Sequence, residues 1–318
     1  MTRIAVTGAS GLIGSALSAS LRANGHEVLR LVRRGPGAPA PGEAVSVWDP
    51  DAADGGLDPQ ALAAVDAVVH LAGAGIADKR WTAARKAEIR GSRIRGTRAL
   101  ATGLARLGEQ GQRPAVLLCA SAIGWYGDTG GRDVDETTPA GSGFLAELVR
   151  DWEAAAQPAR DAGIRTVHVR SGLVLAPSGG TLGKLVPVFK AGLGARLGPG
   201  TQYMSWISLA DEVGAIRFLL ARTGISGPVN LTSPAPVTNA AFTAALNDAL
   251  GQPALLRLPG VRIPSWAPGV PEPVLRLVLG EVASELLSSA RVLPRRLLDS
   301  GYAFQHTGIA AALSWALA

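Results

Sequence analysis

The sequence predicts a doubly wound α/β fold: a parallel sheet covered by helices on both faces, with a smaller interleaved C-terminal lobe. Three observations predict it. Short apolar runs alternate with helical segments over the first 170 residues, the pattern of strands buried on both faces. A glycine cluster follows the first of these runs directly and opens the first helix. After Arg170 the alternation loosens, with eight glycines between positions 171 and 200 and a Pro-rich stretch from Pro253 to Pro273. Residues 1–170 are therefore read as the main sheet domain and 171–318 as the lobe, with the last sheet strands supplied from beyond 170.

Arg3 to Thr7 reads as a buried strand, and Gly11 to Asn24 as a helix, because Leu12, Ile13, Ala16, Leu17 and Leu21 share one face. Val28 to Val32 is the second strand. A Pro/Gly-rich loop, Gly35 to Gly42, leads to a third strand, Ala44 to Trp48, then a short helix, Pro59 to Ala64, and a strand, Ala67 to Leu71. A long helix follows from about Thr82 to Leu107, then strand Ala115 to Ser121, helix Phe144 to Ala162 and strand Thr166 to Arg170. In the lobe, Ala210 to Ala221, Asn239 to Leu250 and Pro273 to Ser288 read as helices and Val229 to Leu231 as a strand, while 171–200 reads as loop.

Composition excludes several functions. The chain has 318 residues and a formal charge of +6, but 27 of its 31 basic residues are arginines scattered between apolar segments. No basic run reaches five residues, so the charge describes a solvated surface rather than a nucleic-acid footprint. A single cysteine, Cys119, closes no intramolecular disulfide and fits a reducing compartment. No apolar stretch reaches membrane-spanning length, and strand-like sequence starts at Arg3, leaving no room for an export signal. A cytoplasmic protein is expected. The four histidines, His26, His70, His168 and His306, have no second ligand at helical spacing, so no metal site is expected. His70 is read as a packed strand histidine and Cys119 as a small buried residue.

Thr7-Gly8-Ala-Ser-Gly11-Leu-Ile-Gly14 has glycines at G-x-x-G-x-x-G spacing. In a chain with 40 glycines this spacing alone arises roughly 0.6 times by chance, so its placement carries the argument. Between a strand and a helix, Gly8 supplies a tight turn, Gly11 lets backbone approach a pyrophosphate, and Gly14 lets the helix pack closely. Ser10, Leu12 and Ile13 offer the surrounding contacts. At the end of the second strand, an acidic residue would bind the ribose 2′-hydroxyl of NAD. This chain has Val32-Arg33-Arg34 instead, and a guanidinium pairs with a 2′-phosphate. NADP(H) is the expected cofactor.

The motifs Thr7–Gly14, His70-Leu-Ala-Gly73, Ser121-Ala-Ile-Gly-Trp-Tyr-Gly127 and Val169-Arg-Ser-Gly-Leu-Val-Leu175 resemble the extended short-chain dehydrogenase/reductases, whose nucleotide domain is a Rossmann fold. Lys79-Arg-Trp81, Ser92-Arg93, Trp152–Ala156, Gly179–Leu182 and Ser205-Trp-Ile207 are similar to an atypical, epimerase-family branch, described as sugar-nucleotide-epimerase-like. Arg291–Leu297 and Gly301-Tyr302 resemble that branch's C-terminal extension of unknown function. The resemblance implies that Val32 and Arg33 meet the adenosine ribose and its phosphate. It also implies that Leu71, Ala72 and Gly73 pass beside the cofactor, that Glu88 and Arg93 reach it from the long helix, and that Val174 lies near the nicotinamide. Read from the residues alone, a solvated helix face is the preferred reading of Glu88 and Arg93, and core packing is the alternative for Leu71 and Val174.

The same resemblance implies a catalytic Tyr with a Lys four residues on. Four residues after Tyr126, Tyr203 and Tyr302 stand Gly130, Ile207 and His306, so the pair is absent. In the register of the family helix its positions hold Phe144 and Leu148, which transfer no proton. Ser121 and Tyr126 remain as candidate catalytic groups, equally readable as structural hydrogen-bonders, and Trp125 and Trp206 as substrate contacts, with Trp206 equally a core residue. Three functions stay open: hydride transfer to a small carbonyl or sugar-like substrate, a non-catalytic NADP(H)-binding sensor or scaffold, or a lyase or isomerase using the same pocket with a tightly held cofactor. The small-molecule substrate would be the main partner, without nucleic acid or membrane; a homodimer is open by analogy alone.

Overall fold

The computed structural model describes residues 2–33, 44–52, 55–76, 78–251 and 269–318. Seven strands form one sheet: β1 Arg3–Thr7, β2 Glu27–Val32, β3 Ala44–Val47, β4 Ala67–His70, β5 Val116–Ala122, β6 Arg165–Ser171 and β7 Gly227–Leu231. Their order is β7-β6-β5-β4-β1-β2-β3, every pairing parallel. The order reverses between β1 and β4, and ligands bind such sheets at the carboxyl ends beside that reversal.

The helices that matter to the cleft are α1 Leu12–Ala23, α2 Ala83–Glu109, α3 Phe144–Ala154, α4 Gly180–Lys190, α5 Leu209–Ala221, α6 Asn239–Ala249 and α7 Ile309–Leu317. Strand alternation sends Ile4, Val6, Val69, Leu118, Val167 and Val169 to the face covered by α1 and α5. Ala5, Val68, Leu117 and Cys119 go to the face covered by α2, with Leu100 and Leu104 of that helix. Both faces are buried, which is why the strands read as unbroken apolar runs. Leu182, Phe189, Trp206, Phe242, Leu246 and Leu313 form a separate lobe core.

The structure differs from the sequence reading in three elements. The helix expected over Phe144 to Ala162 is two, α3 and Gln157–Asp161, because Pro158 sits in the first turn of the second and its missing N–H suits a helix start rather than an interior. Pro273 to Ser288 likewise divides into Glu272–Leu279 and Val282–Leu287, separated by Gly280 at φ +64°. The glycine-rich 171–200 region contains a full helix, α4. Its glycines Gly179 and Gly180, at φ +71° and +56°, turn the chain into the helix rather than preventing it.

The Gly35 to Gly42 loop, Arg34, and Pro253 to Pro268 of the Pro-rich stretch lie outside the described residues. No described helix is long and apolar enough to cross a membrane.

Candidate functional site

The turn between β1 and α1 is fixed by what its glycines exclude. Gly8 has φ +67°, and a Cβ there would sit 2.7 Å from the Leu71 carbonyl carbon and 2.8 Å from Ala72 N. A Cβ on Gly14 would lie 2.1 Å from Gly8 O. Gly11 N donates to Gly8 O at 2.9 Å, and Gly11 caps α1 without a side chain. The amides of Leu12, Ile13 and Gly14 therefore open α1 with no intrahelical acceptor and no acidic residue in the first turn. Ser10 and Gly11 are exposed at the mouth of this turn. A phosphate diester fits the arrangement: donors and the positive end of the helix dipole converge where no side chain intrudes.

Leu71, Ala72 and Gly73 leave β4 directly against this turn, held by a buried chain of hydrogen bonds. Thr7 Oγ1 accepts from Leu71 N at 3.1 Å and Ala72 N at 3.3 Å, so its own proton goes to His70 Nδ1 at 2.7 Å. His70 Nε2–H then donates to Thr97 Oγ1 at 3.1 Å, which also accepts from Trp152 Nε1 at 2.9 Å. Burial holds the imidazole down at about pKa 4, so it is neutral and structural, as read from the sequence. Arg93 extends beneath the loop, donating to Ala74 O at 2.8 Å and stacking 5.0 Å from the Trp152 ring. Its Nε has no hydrogen-bond partner among the described residues, and burial followed by repulsion from Arg85 lowers the guanidinium to about pKa 10. Glu88 is exposed and pairs with Arg85 at 2.7 Å. Arg85, which sequence reasoning missed, is buried and also donates to Gly75 O. Two arginines eight residues apart on α2, about two helical turns, thus hold the loop's carbonyls. Among many arginines, that spacing alone carried no signal.

At the end of β2, Val32 is half-buried and Arg33 exposed. Across the cleft, a Cβ on Gly180 would meet Leu12 Cδ2 at 2.9 Å and Val174 O at 3.9 Å. The start of α4 therefore closes over the first residue of α1 and brings half-buried Val174 to the same place.

Ser121 and Tyr126 belong to a second buried network, on the α3 side of the sheet. Ser121 Oγ donates to Glu153 Oε1 at 2.6 Å. Glu153 is clasped by Arg170, Nε to Oε1 at 2.8 Å and Nη2 to Oε2 at 2.9 Å. Arg170 Nη1 donates to the Tyr126 hydroxyl at 3.2 Å, and that hydroxyl donates to Asn230 Oδ1 at 2.7 Å. Ser121, Arg170 and Asn230 face each other across three strands in register. Tyr126 is 2 % exposed, and burial, against the pull of Arg170, pushes its phenol up to about 12. The two candidate catalytic hydroxyls are thus linked through Glu153 and Arg170 rather than to each other, and both are engaged.

Trp125 is half-buried, its ring 3.9 Å beneath the Arg170 guanidinium and its Nε1 donating to Thr138 O at 3.1 Å. Trp206 corrects the expectation of a substrate contact. It is completely buried in the lobe core, and its Nε1 donates to Ala235 O at 3.1 Å, leaving no edge toward the cleft. Phe144 and Leu148 pack with Trp81, Ile89 and Val282, the Phe144 and Trp81 rings 5.0 Å apart. This is an apolar cluster. Among the described residues no group of three His, Cys, Asp or Glu is arranged to hold a metal. A cavity of about 920 Å³ lined by Ile4, Ala67, Val116, Arg165, Phe218 and Tyr302 opens at the amino ends of the strands, opposite the turn just described.

Residues 4–231 match the model of the NAD dependent epimerase/dehydratase family, and residues 270–316 match a domain of unknown function. The chain is 49% identical over 314 residues to the epimerase family protein Mb2239 of Mycobacterium bovis, covering 98% of this chain and 97% of that protein. The crystal structure of human epimerase family protein SDR39U1 (isoform 2) with NADPH superposes with a TM-score of 0.85 at 33% identity, covering 99% of both chains. A nucleoside-diphosphate sugar epimerase from Corynebacterium glutamicum superposes with a TM-score of 0.76 at 33% identity, over 99% of this chain and 58% of that one.

Proposed function

Because the chain belongs to the NAD dependent epimerase/dehydratase family, we propose that it is an NADP(H)-dependent oxidoreductase or epimerase-like enzyme, acting by hydride transfer on a small carbonyl or sugar-like substrate. The observation that carries this reading is the tight glycine turn at the start of α1, where a Cβ on Gly8 or Gly14 would strike backbone. The human relative crystallised with NADPH supports the choice of cofactor.

In this reading the amides of Leu12, Ile13 and Gly14, with Ser10 and Gly11, bind the pyrophosphate. Val32 and the exposed Arg33 meet the adenosine ribose, the guanidinium pairing with the 2′-phosphate. Leu71 to Gly73 line the cofactor's path, braced by Arg93 and by Arg85 with Glu88, and Val174 borders the nicotinamide. When bound, the cofactor supplies or takes up the hydride. Trp125 borders the substrate, while Ser121 and Tyr126 act by holding the Trp125 turn, since both hydroxyls already have buried partners.

A second reading, a non-catalytic NADP(H) sensor, is favoured by one observation: the apolar cluster around Phe144 and Leu148. Binding of NADPH and NADH, followed by reduced-nicotinamide absorbance against a panel of carbonyls and sugar nucleotides, separates the two. Turnover of any member supports the enzyme; tight NADPH binding with no turnover supports the sensor.

A further inference from the structure

Two serines at the carboxyl edge of the sheet each meet a glutamate, on opposite faces. Ser121 bonds Glu153, whose oxygens are both taken by Arg170. That carboxylate is paired with a buried cation. In the neighbouring strand Ser171, in register with Ala122, places its Oγ 2.5 Å from Glu212 Oε1. Glu212 lies in the first turn of α5 and is completely buried. Its Oε2 has no hydrogen-bond partner among the described residues.

The groups around Glu212 do not replace the missing cation. Asp211, beside it on α5, is saturated by Ser208 and by the amides of Gln305 and His306. Tyr302, from the C-terminal segment, donates its hydroxyl to Asp211. Arg217, further along α5, donates to Ser20 Oγ. The α5 dipole favours an anion in the first turn, yet full burial costs a carboxylate more than a partly screened dipole returns. Burial pushes Glu212 up to about 8, with the Ser171 hydrogen bond opposing. Ser171 itself is half-buried, the last residue of β6 and three residues before Val174. It ends the strand at the carboxyl edge of the sheet, the edge at which ligands bind in such folds.

We propose that Ser171 and Glu212 form the proton relay of the cleft, with Ser171 Oγ–H touching the substrate oxygen and Glu212 storing the proton behind it. The proposal rests on the hydride-transfer reading above. In reduction, the carbonyl carbon receives the hydride supplied by NADPH and the C=O π pair moves onto oxygen. That oxygen takes the Ser171 hydroxyl proton, Ser171 Oγ takes the proton of Glu212, and Glu212 is left as carboxylate. After the alcohol leaves, Ser171 passes one proton from solvent back to Glu212. Oxidation runs the same steps in reverse.

Two measurements on the full chain test this. Infrared titration follows the carbonyl stretch of a protonated carboxyl: a band present at pH 6.5, lost as pH rises through about 8, and absent in Glu212→Gln is expected. No such band, or a band that survives Glu212→Gln, overturns the proposal. With NADPH and the carbonyl panel, reductive turnover falls above about pH 8. Glu212→Gln and Ser171→Ala each lower kcat at least about 100-fold, leave the NADPH Kd within about twofold, and remove that pH dependence. Turnover with an unchanged pH profile in both variants overturns the relay, as does a chain that binds NADPH but reduces no carbonyl. A chain that binds no NADPH overturns the functional reading instead, and the infrared titration, which needs no cofactor, still decides whether Glu212 stores a proton.

Discussion

His70 and Glu212 are both buried, and burial moves them in opposite directions with opposite consequences for stability. His70 and His168 are held down at about 4. The stability they contribute is present above their ordinary value of about 6.5 and is lost as pH falls through about 4. Glu212 is raised to about 8, so its share is full below about 4.5 and is lost as pH rises through about 8. Urea unfolding at a series of pH values should therefore give a steeper fall on the acid side, reduced in His70→Gln. Glu212→Gln should flatten the decline between about pH 4.5 and 8; an unchanged slope would remove the account of a neutral buried acid. Tyr126→Phe leaves Asn230 Oδ1 without its donor and should cost about 1–3 kcal/mol in the same assay. Single residues differ in how far the sequence discloses them. Gly8 and Gly14 are legible because their chemistry is local: a motif between strand and helix. Arg85 and Glu212 are not, since their roles arise from burial and, for Glu212, from a partner 41 residues away.

The β1–α1 unit was readable to within a residue, because an apolar run, a glycine turn and a 3.6-residue periodicity agree there. Gly14→Ala tests the packing at that junction. With its new Cβ 2.1 Å from Gly8 O, the helix must shift off the strand, and cofactor binding should fall at least about tenfold even where circular dichroism reports an unchanged fold. Equal NADPH affinity in the variant would contradict the tight-turn geometry. The elements that escaped reading are those where local signals mislead. Gly179 and Gly180 look like loop but turn the chain into α4, and Pro158 interrupts an otherwise continuous helical pattern to start a second helix. Trp206 was equally consistent with a cleft wall and a core; only the lobe's three-dimensional packing decides for the core.

At the scale of the whole molecule, the lobe and the sheet are stitched together by the C-terminal segment. Arg291 and Val292 pair in parallel with Asp133 and Val134. Glu136 accepts from the amides of Asn230 and Arg296, and Arg296 reaches Ser226 O and Pro228 O beside β7. Asn230, the partner of Tyr126, also donates to Leu293 O at 3.0 Å. The extension thus braces the network that holds the Trp125 turn. Arg296→Ala should lower the melting temperature while leaving NADPH affinity within about twofold, because it acts at the lobe side rather than at the phosphate turn. This long-range stitching has no local sequence signature, which is why the lobe's boundaries were harder to read than those of the sheet.

The central claim is that the carboxyl end of this sheet is an NADP(H) site whose selectivity resides in Arg33. Isothermal calorimetry of NADPH and NADH against the wild-type chain and Arg33→Asp tests it most directly. The account predicts that wild type prefers NADPH at least about tenfold, equivalent to about 1.4 kcal/mol, and that Arg33→Asp erases or reverses the preference. Equal affinity for both cofactors in wild type, or a preference that survives Arg33→Asp, would contradict it.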